Sequence, residues 1–338
     1  MRKDIKKVAS ATVQKIIGKK QIPWADRIEI VRVLGWQCVV SKEDNFQIGD
    51  KVIFIEVDSV VPERPEFEFL RKHNFRIKTM KLKGIVSQGL VLPLGNIHGF
   101  HNEGTDVSEI LGVIHYEKPI SANMKGQIDG IFPSHLVPKT DETRIQSVPD
   151  VITELENVPC YITIKCDGTS SSYILHNENF YICSRNNIMK DNDENKDNVY
   201  VKMAHKYDIE KKLREYGKNI AIQGEICGPG LQKNPMGLKD LELFVFNVFD
   251  IDNQKYLDYI DFKQITEKLE LETVPLLSDN MLFVGMSVED FLEMSKGNYK
   301  GTKHPREGIV IRSLVEKDSI ALEGRLSFKV INPDYKDD

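Results

Sequence analysis

The sequence predicts an α+β protein in two parts, and three observations carry that prediction. Residues 1–100 hold several short alternating apolar runs bounded by Gly, Pro, Asn and Asp, the pattern of a small antiparallel barrel. From 126 to 338, strand-like runs alternate with helix-like ones, the pattern of antiparallel sheets flanked by helices. The charge divides as well: residues 1–100 carry 18 Lys and Arg against 11 Asp and Glu, a balance of +7, and the rest carry 28 against 40, or −12. A basic part suits a polyanionic partner, and an acidic part can hold metal ions. With 338 residues, 41% of them hydrophobic, the chain can bury two cores.

In the first part, ADRIEIVRVLGWQCVVSK, GDKVIFIEVDSVV and RIKTMKLKGIVSQGLVLPL supply the strands, and ERPEFEFLRKHNF has room for one helical turn. So many short strands in so few residues suggest a barrel of the OB type, an architecture that binds nucleic acid on one face. Arg76 and Lys78, then Lys81 and Lys83, recur at spacing two beside Phe75, which reads as a basic strand face able to follow phosphates. Lysines guarding an edge strand would give the same pattern. Residues 101–125 read as a short helix and a polar linker.

In the second part the strands are CYITIK, NFYICS, IAIQGEI, LELFVFNVFDID, EGIVIRS and LSFKVIN, and the helices are NVYVKMAHKYDIEKKLREYG, YIDFKQITEKLE and SVEDFLEMSKG. DNDENKDN, 191–198, reads as a solvated loop. No apolar stretch reaches the length of a signal peptide or a membrane span, so no membrane association and a cytoplasmic or nuclear location are expected. The five cysteines include no CxxC and no His at zinc-ligand spacing, so packed, reduced thiols are expected.

The run YITIKCDGTSSSY, 161–173, alternates Tyr161, Thr163 and Lys165 against Ile162 and Ile164 as a half-buried strand, and CDGTSSS reads as the tight turn that ends it. Lys165 therefore stands at a strand end facing a loop. Five further stretches fall at or near predicted strand ends: SRNN (184–187), QGEICGPGLQKN (223–234), LFVFNVFDI (243–251), EGIVIR (307–312) and LSFKVIN (326–332). In order and type the six resemble the nucleotidyltransferase motifs I, Ia, III, IIIa, IV and V of the covalent ligase superfamily, which joins ATP-dependent ligases and mRNA capping enzymes. The OB-like module placed first, VPKTDETRIQ ahead of Lys165, and only nine residues after Lys329 bring the chain closest to nick-sealing RNA ligases with an N-terminal OB domain.

That resemblance implies an adenylyltransferase domain over 126–338, ATP as co-substrate, Mg²⁺ or Mn²⁺, a nicked RNA duplex or RNA/DNA hybrid as partner, and a monomer. It makes Lys165 the nucleophile on the ATP α-phosphate, which calls for burial and a neighbouring positive charge to lower its pKa. Lys329 is the expected cation on that phosphate. Asp167, Glu225 and Glu307 are expected to converge on a metal that keeps several waters, with Asp167 and Glu225 alternatively on the ribose. Ile164 and Gly168 are expected beside the nucleotide. Phe244 or Phe246 would stack on the base, although an aromatic stripe at period two also suits plain core. Arg185 is expected on the ribose or the acceptor strand, and Arg144 on the ATP phosphates. Motif V departs from its two-lysine form in having Ser327, so Arg325 or Arg144 would have to supply the missing charge. Rival readings are a GTP-dependent capping guanylyltransferase, a DNA ligase, and a nucleic-acid-binding protein without catalysis.

Overall fold

The computed structural model describes residues 10–99, 101–116 and 126–335, and the chain divides into two compact units that meet between residues 119 and 120. Residues 117–125 of the expected linker lie outside the described residues. Its longer part, 101–116, belongs to the first unit, contrary to expectation. Val107, Leu111 and Val113 are buried in that unit's core, and Ser108 Oγ accepts the backbone N–H groups of Ser10 and Ala11. The polar letters between these apolar ones disguised a segment that closes the core.

The first unit is the expected OB-type barrel. Its sheet runs Trp36–Ser41, Ile28–Val33, Ala11–Gln21, Lys51–Ile55, Leu90–Pro93, antiparallel throughout. The long first strand pairs Ala11–Lys15 with one neighbour and Ile16–Gln21 with the other, and a register shift between Ile16 and Gly18 bends it from one to the next. Gln88 N–H donates to the Gln37 carbonyl, which brings the two ends of the sheet together. The core is built on Trp36, Phe54, Ile53 and Ile16. At Gly89 (φ +96°), a Cβ would lie 2.5 Å from the Phe54 ring, so this turn needs glycine. The expected single helical turn is a 3₁₀ segment, Pro65–His73, that buries Phe67 and Leu70 and ends on left-handed Asn74.

The second unit sets two sheets beside each other. The larger runs Ile128–Ile131, Asn187–Met189, Asn179–Ser184, Thr169–His176, Ile220–Cys227, Glu242–Asp250, Lys255–Tyr256. The smaller runs Thr143–Arg144, Ser327–Ile331, Gly308–Ser313, Cys160–Lys165, Leu276–Met281, with the first pair parallel and the others antiparallel. Helices Val199–Lys206 and Ile209–Tyr216 cover the larger sheet, and Val288–Ser295, opened by a capping box between Ser287 and Asp290, covers the smaller through Phe291. The single helical run expected over 198–217 is two helices, broken where Asp208 turns left-handed at φ +49°. Among the described residues no helix is long and apolar enough to cross a membrane.

Two local expectations change. The turn after Lys165 is confined to Cys166–Gly168, because Thr169–His176 is a full strand whose hydroxyls are used inside the sheet: Ser171 Oγ donates to the Gly224 carbonyl, and Ser170 bonds Thr140. The strand before it is buried on both faces, with Tyr161 stacked on Tyr259 at 4.3 Å. The five cysteines are free and buried, and burial pushes the thiols of Cys38, Cys160 and Cys183 up to about 12, as packed thiols should be.

Candidate active site

Strand pairing decides which motif residues can meet. Lys165 pairs with Gly308, Thr163 with Val310, and Val310 with Lys329, while Arg144 lies alongside Lys329 on the other side. Directly paired residues point to one face of a sheet. Lys165, Lys329 and Arg144 therefore share the polar face of the smaller sheet, and Ile162, Ile309, Ile311, Phe328 and Val330 form the opposite, buried one.

Gly308 and Gly168 make this close approach possible. A Cβ on either would stand 2.1 Å from a carbonyl oxygen, that of Val330 or of Ile226. Gly168 thus lets the chain leave the smaller sheet and pass against the Ile220–Cys227 strand of the larger one. The Ile164 backbone N–H donates to the Pro275 carbonyl, at the last residue but one of its strand.

Lys165 Nζ lies 2.7 Å from Glu307 Oε2, with the two side chains 26% and 18% exposed. Burial opposes the lysine's charge, but Glu307, Glu225 and Asp167 outweigh it and hold its pKa above the ordinary value. This is the opposite of the lowered pKa expected of a nucleophile, because the nearest charges are negative. Glu225 shows the counterpart: burial pushes it up to about 8 against the pull of Lys165, with Glu307 and Asp167 adding to the rise. Burial and the cations Arg144 and Lys165 push Lys329 down to about 8. Two lysines and three carboxylates thus feel one another in one cleft.

The carboxylates do not close on a metal. Among the described residues no three His, Cys, Asp or Glu side chains come close enough to ligate one ion. The set suits a hard cation held through its own waters, as expected for Mg²⁺ or Mn²⁺, and does not suit one stripped of them.

Contacts of two tyrosines and one serine escaped sequence reasoning. Tyr299 Oη donates to the Lys165 carbonyl at 2.9 Å and accepts the Glu307 N–H at 3.1 Å, which fixes motifs I and IV to each other. Tyr335 Oη donates to Asp167 Oδ2 at 2.5 Å, from a turn anchored by Asn332 on the Arg306 and Glu307 carbonyls. Neither tyrosine sits in a periodic pattern, so no sequence signal marks them. Ser327, the departure in motif V, accepts Arg312 Nε at 3.0 Å, and Arg312 pairs with Glu142 at 2.9 Å and donates to the Phe246 carbonyl. A lysine at 327 would set a second buried cation against Arg312. The serine and the arginine belong together.

Arg325 is not available to replace that lysine, since it pairs with Glu316, donates to Asn247 and lies 4.2 Å over the Tyr256 ring. Arg144 lies in register with Lys329 on the same face. Phe244 lies opposite Glu225 and, with Phe246, packs half-buried against Cys166 and Cys227, while the other face of their strand supplies core residues Leu243, Val245 and Val248. Arg185 pairs with Asp141 at 2.7 Å, both half exposed, at the edge of the segment leading to Arg144.

The basic strand expected in the first unit is not one strand. Arg76 pairs with Asp58 and lies 4.0 Å over the Tyr116 ring, Lys78 follows in an extended link, and Lys81 and Lys83 belong to a hairpin, Met80–Leu82 with Ile85–Ser87, whose turn begins at Lys83. Positive φ at Asn74, Phe75 and Lys83 interrupts the alternation that the lysines imitate. Lys81 and Lys83 are exposed; Arg76 is committed to the fold.

A family model for RNA ligase matches residues 158–331, and an OB-fold domain model matches 10–94. The chain is similar in structure to an RNA ligase of Naegleria gruberi solved with pyrophosphate, at 30% identity and a TM-score of 0.85 over 96% of each chain. It is as similar to a lysine-to-alanine variant of that ligase solved with ATP and manganese, at 30% identity and 0.85 over 96% of this chain and 97% of that one. A lysine-to-methionine variant solved with AMP and manganese gives the same identity, score and coverage. No curated protein gives a significant match.

Proposed function

The chain belongs to the RNA ligase family and is an ATP-dependent RNA ligase, and we propose that it seals 3′-hydroxyl/5′-phosphate nicks in duplexes through a lysyl-AMP intermediate on Lys165. The observation that carries this reading is the Lys165–Glu307 contact at 2.7 Å, with Lys329 and Arg144 on the same sheet face.

In the first step Lys165 Nζ attacks the α-phosphorus of ATP: a P–N bond forms, the α–β P–O bond breaks, pyrophosphate leaves, and the lysine gives up its protons to the carboxylates around it or to water. Lys329 and Arg144 meet the charge that grows on the phosphate oxygens. In the second step a 5′-phosphate oxygen attacks the same phosphorus and Lys165 recovers its amine. In the third the 3′-hydroxyl attacks the 5′-phosphorus and AMP leaves. Asp167, Glu225 and Glu307 would hold Mg²⁺ or Mn²⁺ through its waters, and that ion would offset the negative charge that keeps the proton on Lys165. Phe244 and Phe246 offer faces for the adenine. The protein acts as a monomer whose first unit grips the duplex, mainly by its phosphates.

The test is incubation with α-labelled ATP or GTP and Mn²⁺, followed by denaturation. Label from ATP that is lost in Lys165→Ala, at least a thousandfold below the intact protein, is the expected result. A labelled Lys165→Ala chain would remove the assignment, and label from GTP alone would turn the reading to a capping-type guanylyltransferase.

A further inference from the structure

The chain has two tryptophans, and they are used in opposite ways: Trp36 is wholly buried in the barrel core, and Trp24 is 65% exposed. Trp24 is nevertheless held. Its Nε1–H donates to the Lys83 carbonyl at 3.2 Å, in the turn of the Met80–Leu82/Ile85–Ser87 hairpin. On either side of it in the chain, Ile22 and Ala25 join Ile30 in a small buried cluster against which Ile85 packs, and Lys42 Nζ caps the Ala25 carbonyl at 3.2 Å. The loop between the first two strands and the hairpin are thereby one corner. It presents an indole with its polar edge already satisfied and most of its surface in water.

Basic residues outnumber acidic ones at this corner, where Asp26 is the one acid of the loop. Lys81 and Lys83 on the hairpin are exposed, Lys20 and Arg27 flank the loop, and the unit carries the chain's basic excess. An aromatic plane set among lysines is the arrangement on which nucleobases stack while the cations meet the adjoining phosphates. A partner protein would need an acidic, aromatic-binding pocket to match the same corner; RNA supplies both features in every nucleotide.

We propose that Trp24, with Lys81 and Lys83, forms a stacking site for an unpaired nucleobase of the RNA substrate. Inside a duplex both faces of a base are covered by its neighbours, so an indole can stack only where a base is left open, at a strand end, a gap or a loop. The site therefore selects RNA with unpaired nucleotides, which goes beyond a duplex grip through phosphates; it rests on the ligase reading for the identity of the ligand.

The test uses the full-length protein, its own tryptophan emission, and fluorescence anisotropy with three probes: single-stranded RNA, a long blunt RNA duplex, and that duplex interrupted by a short single-stranded gap. Single-stranded and gapped RNA should quench the exposed tryptophan, and Trp24→Ala should remove the quenching and weaken binding of both roughly tenfold. Blunt-duplex binding and the salt dependence set by the lysines should stay within twofold. Trp24→Phe should keep most of the affinity, which also controls for folding. Unchanged binding of single-stranded RNA by Trp24→Ala, or an equal loss on all three probes, overturns the proposal, as does a self-association that Trp24→Ala abolishes, which would give the patch to a second copy. Self-adenylylation is measured alongside: its absence in the unmodified protein would strike the ligase reading, while a normal level with no binding defect would strike the stacking site alone.

Discussion

The two units bury their polar groups in different ways. The barrel keeps charge at its periphery: its core is aliphatic and aromatic, and among the described residues its one buried carboxylate, Glu29, is met by Lys19 at 3.1 Å and Gln21 at 2.7 Å. The second unit places charges on the inner face of a sheet, with Lys165, Lys329, Arg144 and Arg312 all on strands whose opposite faces are apolar. An apolar core tolerates change at its surface. A charged cleft requires every member to be matched, because an unpaired buried charge costs far more than a lost contact.

The largest effect should therefore come from unpairing the cleft. Arg312 is 3% exposed and depends on Glu142 for its counter-charge. Burial works against its charge, but Tyr161 and Glu142 hold its pKa well above the ordinary arginine range, and burial of Glu142 is likewise outweighed by Arg312 and Arg325, which keep the carboxylate below its usual value. Glu142→Ala should cost about 3 kcal/mol and lower the Tm of the second unit by roughly 6–12 °C in calorimetry. Ser327 and the Phe246 carbonyl remain to Arg312, and they are the reason the loss stays at the low end of the range for a broken buried pair. A shift under a degree would mean that the cleft is far better solvated than its geometry indicates.

A smaller, pH-dependent effect should appear at Lys329, pushed down to about 8 by burial and by Arg144 and Lys165. The sign follows from which state holds the proton. Below about 8 the free protein already carries the charge, and nucleotide binding needs no proton at this position. Above 8 the free amine must be reprotonated to meet a phosphate, so affinity should fall as pH rises, by up to tenfold per unit. Titrating a non-hydrolysable ATP analogue from neutral to alkaline pH measures it. Glu225, pushed up to about 8 by burial, ionises over the same range, so the lysine's share is the difference between the intact protein and Lys329→Met. Parallel slopes in the two proteins would take Lys329 off the phosphate.

The same contrast explains what the sequence revealed. Motif residues in the second unit were legible because the chemistry needs particular side chains at strand ends, and Lys165, Glu225, Glu307 and Lys329 do gather in one cleft. In the first unit the alternation gave the strands and the OB-type barrel, but Arg76 read as a phosphate contact although Asp58 and Tyr116 claim it. Spacing two cannot distinguish a strand face from a link broken by left-handed residues. The serines at 170–172 misled in the other direction: hydroxyls favour turns locally, yet here all three lie in a strand paired on both sides, with Ser170 bonded to Thr140 and Ser171 to the Gly224 carbonyl. Contacts made across the fold by single side chains left no pattern to read.

Tyr335 is the smallest and most specific of these. Its hydroxyl donates to Asp167, two residues beyond Lys165, and the turn that carries it is tied by Asn332 to the backbone of Arg306 and Glu307. Asp167 is also one of the three carboxylates that hold the Lys165 pKa up, so the hydroxyl acts on Lys165 through it. Removing the donor takes away one contact that orients the carboxylate without changing its charge. A hydrogen bond to an ionised group contributes about 1.5–3 kcal/mol where it is buried, and partial exposure here reduces that to about 1 kcal/mol. Tyr335→Phe should slow self-adenylylation about fivefold in kcat, with KM for ATP within twofold, because the tyrosine positions Asp167 and does not itself hold the nucleotide. A rise in KM at constant kcat would instead make Tyr335 a nucleotide contact, and the cleft would then extend past the last strand to the residues that follow it.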